Sequence, residues 1–181
     1  MADRNPVRAL DVVRRVEMMC DFIENPAIQA AVEQAVPASM PRAPGALGFD
    51  ITLWVGLGMV GLWAALDGFS ERAALPQPQC ATCRRHCIPS RFAPYTQGNE
   101  CLSLAELEDL RHLYAHNYAG EADDEYFRFG TTTPRRRHVL DCGAIVQLTC
   151  GAQFDGRRVQ LALPHLRAYA HTVQSVLQRF P

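Results

Sequence analysis

An uncharged, largely apolar stretch at residues 51–66 constrains the fold of this 181-residue chain more than any other feature. At 16 residues it is short for a membrane-spanning helix, and three glycines interrupt it. We therefore expect no membrane span here. The stretch predicts a core helix, capped by Asp50 and extending to about Arg72, that is buried by other helices. Its glycines should let those neighbouring helices approach closely.

Apolar residues recur at helical spacing in several other segments. The further predicted helices cover residues 7–24, 26–36 and 103–118, and a last helix opens at Pro164. Ser103 and Glu106 fit a capping box at the start of the third of these. Residues 144–153 and 157–163 resemble strands joined by a turn at Asp155-Gly156. The sequence predicts a mainly α fold, one domain over 1–181, with an insertion at 76–101 and a small β-hairpin before the C-terminal helix.

The net charge limits which partners the chain can bind, and its cysteines bear on the cellular compartment. The formal net charge is −1, so any nucleic-acid site must be a local patch, for which Arg135, Arg136 and Arg137 are the candidates. No apolar run behind a basic start marks the N-terminus as a secretory signal. We therefore expect a cytoplasmic protein whose seven cysteines are reduced.

The insertion carries four candidate zinc ligands: Cys80, Cys83, Cys87 and Cys101. A Cys-x-x-Cys pair supplies two ligands at suitable geometry, and four protein ligands leave no open position, so the zinc would be structural. His86 is a fifth candidate ligand. The alternative is a set of free thiols in a loop. A redox role for Cys80 and Cys83 is disfavoured, because no thioredoxin-like strand and helix surround them.

Residues 111–118, Arg-His-Leu-Tyr-Ala-His-Asn-Tyr, concentrate the remaining chemistry. Histidine can transfer a proton near neutral pH, and arginine can hold a phosphate and stabilise the charge of a pentacoordinate state. Arg111 and His116 could thus cleave RNA without a metal, with the ribose 2′-hydroxyl as nucleophile. Two alternatives stay open. His112 and His116 are spaced to bind zinc on one helix face, or these are polar residues satisfied by neighbours at a helix end.

This segment resembles the signature of the HEPN superfamily, in which an arginine is followed by a polar residue, three more residues and a histidine. Arg111, His112 and His116 match those places, and Asn117-Tyr118 matches the extension found in HEPN toxins. The order of helices around the motif is also similar. The chain departs from the compact toxins in its length, its cysteine-rich insertion and its predicted hairpin.

The resemblance implies a helical bundle, a homodimer and a metal-independent ribonuclease, as a toxin or a phage-defence effector. His116 would be the acid and base and Arg111 the phosphate clamp, with His112 and Asn117 in support. Tyr118 would be a regulatory residue, modified by a nucleotidyltransferase antitoxin. No catalytic cofactor is expected.

Two further functions compete with cleavage. The chain could be a non-catalytic helical module that binds RNA or a protein partner, with the same motif residues forming a structural network. A third hypothesis is a zinc-stabilised nuclease of another kind that uses His138, although no complete His-Asn-His pattern is present.

Overall fold

The computed structural model describes residues 3–35, 51–117, 128–129, 133–134, 137–141 and 143–180. Over these ranges the chain is mainly helical, which confirms the predicted fold class. The helices are α1 (Val7–Glu24), α2 (Pro26–Ala35), α3 (Ile51–Arg72), α4 (Ile88–Phe92), α5 (Glu100–Asn117) and α6 (Leu163–Leu177). A 3-10 turn at Ala93–Tyr95 follows α4, and the strands are β1 (Arg128–Phe129), β2 (Thr133–Pro134), β3 (Val146–Gln147) and β4 (Gln153–Phe154). Strands β1 and β2 pair antiparallel, as do β3 and β4.

Helix α3 lies at the centre and packs against α1, α5 and α6, as expected for a core helix. Its buried face includes Val55, Met59, Leu62, Leu66 and Phe69. Two of its glycines lie directly against side chains of neighbouring helices. A Cβ at Gly56 would lie 3.3 Å from the Tyr114 ring on α5, and a Cβ at Gly58 would overlap the Leu166 side chain on α6. The glycines therefore permit the close approach that the sequence predicted.

The segment Leu53–Arg72 of α3 is long and apolar enough to cross a membrane by length and composition, but half of it is buried inside the protein. Its apolar side chains belong to one core shared with α1, α5 and α6. A core helix accounts for this composition without a lipid environment.

Helix α5 begins at Glu100, three residues before the predicted cap. The Glu100 carboxylate accepts a hydrogen bond from the backbone N–H of Gln97 at 2.7 Å, so this residue satisfies a donor ahead of the helix. Ser103 instead contacts the Asn99 carbonyl and Thr149, at 3.2 and 2.8 Å. The capping-box interpretation was wrong, because these side chains serve tertiary contacts.

The hairpin before α6 is present, but its turn differs from the prediction. Residues 144–153 do not form one strand, since the chain reverses between β3 and β4, where Leu148 N–H donates to the Ala152 carbonyl at 2.8 Å. The predicted Asp155-Gly156 turn is a second reversal, after which Val159 bridges back to Phe154. Gly156 has a φ of +94°, which glycine adopts readily.

The predicted insertion is packed onto the helical core. Ile88 and Phe92 of α4 are buried, and the Phe92 ring lies 6.3 Å from Phe69 of α3 and 6.0 Å from Phe180. An ion pair of 2.8 Å between Arg91 and Asp67 further joins α4 to α3.

Candidate functional site

The Cys80–Cys83 segment forms a tight turn. Cys80 N–H donates to the Arg85 carbonyl at 2.8 Å, and Arg84 N–H donates back to the Cys80 carbonyl at 2.9 Å. Arg84 has a φ of +57°, an uncommon conformation for a residue with a Cβ. This turn brings the two cysteine side chains together, as a Cys-x-x-Cys knuckle requires.

Cys87 precedes α4 and is buried, with 6% of its surface exposed. The Ser90 hydroxyl lies 3.5 Å from its Sγ and donates to backbone carbonyls at Pro78 and Cys87. These contacts hold both ends of the cysteine loop together. Cys87 is therefore fixed beside the Cys80–Cys83 turn by local structure.

His138 lies beside these cysteines although it follows Cys87 by 51 residues in the sequence. Its position is set by Asp109 on α5, whose Oδ2 accepts the backbone N–H groups of His138, Val139 and Leu140 at 2.8, 2.8 and 3.2 Å. Asp109 Oδ1 lies 3.1 Å from His138 Nδ1. The other ring nitrogen, Nε2, lies 3.2 Å from Cys87 Sγ.

Four ligand atoms, from Cys80, Cys83, Cys87 and His138, all lie within 4.8 Å of one another. In a tetrahedral zinc site, bonds of about 2.3 Å to sulfur and 2.0–2.1 Å to nitrogen place ligand atoms roughly 3.5–3.8 Å apart. The cluster is therefore close to the spacing that a zinc ion needs. Three thiols and one imidazole are also a donor set of a known structural zinc class. The cluster can hold a metal such as zinc.

The electrostatics of the cluster favour a charged thiolate. Burial opposes ionisation of Cys87, but hydrogen bonds with His138 and Ser90 lower its pKa to about 6. Burial likewise disfavours the charged form of His138, whereas hydrogen bonds to Asp109 and Cys87 raise its pKa to about 11. Burial raises the pKa of Cys83 to about 11. Both shifts favour the charged forms of Cys87 and His138, and a metal cation would likewise supply the positive charge that stabilises a thiolate.

The fourth predicted zinc ligand, Cys101, is not in this cluster. Cys101 lies in the first turn of α5, so the helix fixes its position, whereas the loop held by Asp109 delivers His138 to the cluster. Cys101, Cys80 and His138 instead share the wall of a neighbouring cavity of about 430 Å³. The sequence hypothesis that involved His138 assigned it to a nuclease site and did not connect it with the cysteines.

Cys87, His138 and Asp109 are hydrogen-bonded in the same sequence as the thiol nucleophile, the base and the orienting carboxylate of a catalytic triad. Two features disfavour nucleophilic catalysis. Cys87 is almost completely buried and does not line the cavity, and the Cys80 and Cys83 thiols crowd the His138 nitrogen that would act as the base. The arrangement suits metal ligation better than attack on a substrate.

The predicted clamp, Arg111, is held by its neighbours. Its guanidinium carbon lies 3.8 Å from the centre of the Trp63 ring, and a terminal nitrogen lies 3.5 Å from the Glu108 carboxylate. Trp63 also donates to Glu108, at 2.6 Å, and His112 Nε2 lies 3.2 Å from Arg111. The Arg111 side chain is 17% exposed. Arg111 and His112 therefore belong to a partly buried network between α3 and α5.

The remaining predicted site residues belong to the end of α5 and the segments after it. His116 and Asn117 lie in the last turn of α5. Tyr118, Arg135 and Arg136 lie outside the described residues. Arg137 is partly buried and directly precedes His138.

Comparison with protein-family models, curated proteins and solved structures gives no match to this chain.

Proposed function

We propose that this chain is a zinc-stabilised helical domain in which Cys80, Cys83, Cys87 and His138 bind one Zn²⁺. The observation that carries the proposal is the convergence of these four ligand atoms within 4.8 Å. Four protein ligands complete a tetrahedral shell and leave no position for water or substrate, so the role of the ion is structural.

The ion joins two parts of the chain that are distant in sequence. Its sulfur ligands come from the loop before α4, and His138 follows 51 residues after Cys87. Binding a metal across such a separation adds folding free energy, because the unfolded chain offers no preformed site. The six described cysteines carry free thiols, and a reducing cytoplasm keeps thiols available for zinc.

Metal analysis with four variants tests this proposal. Protein purified without chelator should hold about one zinc per chain. Cys83→Ser and His138→Ala should lose zinc, and Cys101→Ser is the matched control that should keep it. Loss of zinc in Cys101→Ser with retention in His138→Ala would instead support the ligand set predicted from sequence. Wild type without zinc, together with ready alkylation of Cys87 by iodoacetamide and its suppression in Cys87→Ser, would favour a reactive thiol.

RNA recognition at the C-terminal half of α5 is a second proposal. It is favoured by the position of the residue after Arg137: the backbone N–H of His138 is held by Asp109 on α5. Asp109 in turn lies two residues before Arg111 on the same helix. Arg135 and Arg136 precede that anchored segment in sequence. In this proposal His116 transfers protons, Arg111 holds the phosphate, and His112 and Asn117 assist.

The contacts of Arg111 argue against its role as the phosphate clamp of a nuclease. A guanidinium that stacks on Trp63 and faces Glu108 is partly neutralised before any phosphate arrives. A non-catalytic module that binds RNA or a protein partner is therefore the alternative within this second proposal. The homodimer, and a nucleotidyltransferase that modifies Tyr118, are proposals that follow from the resemblance to HEPN toxins alone.

Cleavage is tested with zinc-loaded protein, mixed RNA and no added divalent cation, in a brief EDTA incubation during which circular dichroism verifies the fold. A HEPN-type nuclease should leave 2′,3′-cyclic phosphate ends, and His116→Ala should slow it by about 10²–10⁴-fold. Arg111→Ala should also slow it, and the two losses should not add, since both groups serve one transition state. A double variant that cuts as fast as wild type would exclude the nuclease and leave the binding module.

A further inference from the structure

Asp109 is placed between α5 and the proposed zinc site. Its side chain is 2% exposed, and its two oxygens have different tasks. Oδ2 accepts three successive backbone N–H groups, at residues 138 to 140, which anchors the loop. Oδ1 lies 3.1 Å from Nδ1 of the His138 ring, which is hydrogen-bonding distance.

We propose that Asp109 is the positioning residue that makes His138 a zinc ligand. A carboxylate can only accept a hydrogen bond, so it holds the imidazole proton on Nδ1. The lone pair of Nε2 is then directed at the space beside Cys87 Sγ, 3.2 Å away. This inference rests on the proposed zinc site. It identifies Asp109 as a residue that does not bind the metal but orients the ligand His138. Such residues typically tune the affinity of a site for its metal.

The geometry explains why His138 takes the place that Cys101 was predicted to fill. A histidine in a loop needs both its backbone and its ring orientation fixed before it can ligate a metal. Asp109 supplies both from a rigid helix, through Oδ2 and Oδ1 respectively. The zinc site is thereby connected to α5, two residues before Arg111.

The sharpest variant is Asp109→Asn, which keeps the size of the side chain. The asparagine oxygen can still accept the backbone N–H groups, but its NH₂ group then faces His138 Nδ1. An NH₂ group donates to Nδ1 and so favours the tautomer with the proton on Nε2, which blocks metal binding. Competition with a chromophoric chelator should show zinc affinity about 10–100-fold weaker than wild type.

Two controls separate positioning from general damage. Glu106→Gln removes the other buried carboxylate of α5, which holds Thr149 and Tyr169 and not the His138 loop, and should leave zinc affinity unchanged. In a His138→Ala background, zinc binding by the three remaining cysteines is much weaker but is still measured by the chelator competition. There Asp109→Asn should have no further effect on affinity, since the ligand it orients is gone. Nitrogen-15 spectra of the zinc-loaded wild type should show His138 protonated at Nδ1.

The outcomes distinguish this inference from the function on which it rests. A wild type that binds no zinc overturns both. A wild type that binds zinc, with equal affinity in Asp109→Asn, overturns only the positioning role. An equal loss of affinity from Asp109→Asn with and without His138 would show that Asp109 acts on the fold and not on the ligand.

Discussion

Two carboxylates on α5, Glu106 and Asp109, are almost completely buried, at 0% and 1% exposure. Each is surrounded by hydrogen-bond donors from elsewhere in the chain. Glu106 accepts from Thr149 and Tyr169, and Asp109 from the loop at 138–140. Sequence spacing could not reveal these roles, because the donors lie at least 29 residues from their acceptors. A local capping rule therefore misassigned Glu106.

Glu106→Gln should destabilise the fold by about 1–3 kcal/mol, the cost of leaving buried donors unsatisfied. The Glu106 carboxylate accepts from Thr149 N–H at 2.9 Å and from the Tyr169 hydroxyl at 2.8 Å, whereas an amide would turn an NH₂ group towards one of these donors. Urea denaturation followed by circular dichroism measures the loss. Glu71→Gln, at an exposed position of α3, is the control that should change little. Equal midpoints for the two variants would contradict the buried role.

Arg111→Ala should lower the free energy of unfolding by roughly 0.5–2 kcal/mol, the range for a cation–π contact that is partly desolvated. The guanidinium stacks on Trp63 at 3.8 Å, and its loss leaves Glu108 without that cationic neighbour. Thermal melts of the zinc-loaded variant measure the effect. Unchanged stability together with weakened RNA binding would instead show that Arg111 is held for a ligand.

At the scale of the elements, the helices were the part that sequence predicted well. The first helix was predicted at its observed limits, Val7–Glu24, because its apolar residues repeat at helical spacing and Asn25-Pro26 ends it. The hairpin was predicted less well. Each of its strands has only two residues. The hairpin is held in place by contacts with α5, such as the hydrogen bond from Thr149 to Glu106, and a local sequence pattern cannot predict such contacts.

An ion pair with a pH signature links the start of α5 to the residues just after α6. Arg179, just after α6, contacts both oxygens of Glu100, at 2.5 and 2.8 Å. This hydrogen bonding lowers the pKa of Glu100 to about 2, although burial opposes the shift. A carboxylate with a lowered pKa stabilises the folded state above its unfolded pKa, and that contribution disappears as the pH falls through the folded value.

Glu100→Gln should therefore be less stable than wild type at pH 7, by about 1 kcal/mol or less because the pair is partly exposed to solvent. The difference should shrink as the pH falls from about 4.5 and vanish near pH 2. Denaturant midpoints of the two proteins across this range provide the measurement. A difference that is constant with pH would show that the carboxylate charge contributes nothing.

At the scale of the whole molecule, the proposed zinc site shows where sequence inference stops. Three of its four residues follow from the spacing of Cys80, Cys83 and Cys87. The fourth residue, His138, lies beside the cysteines because Asp109 on α5 accepts its backbone N–H and so holds this part of the chain next to the cysteine loop. That anchoring is a property of how the helices pack, so sequence spacing could not show that His138 joins the three cysteines and that Cys101, which is nearer in sequence, lies outside the cluster.

Removal of the metal should loosen the molecule in two specific places. With free zinc at 100 times the dissociation constant, binding stabilises the fold by about 2.7 kcal/mol, and in a chain of this size the melting temperature should fall by roughly 5–10 °C on chelation. Hydrogen exchange should quicken at residues 79–87 and 137–141, which supply the ligands, and change little in α1 and α6, whose faces are buried in the core. Cys101→Ser should respond to chelator as wild type does, and His138→Ala should already melt at the lower temperature. Exchange that quickens uniformly over all helices would mean that the ion supports the entire fold, and an unchanged melting temperature would mean that the cluster holds no stabilising metal.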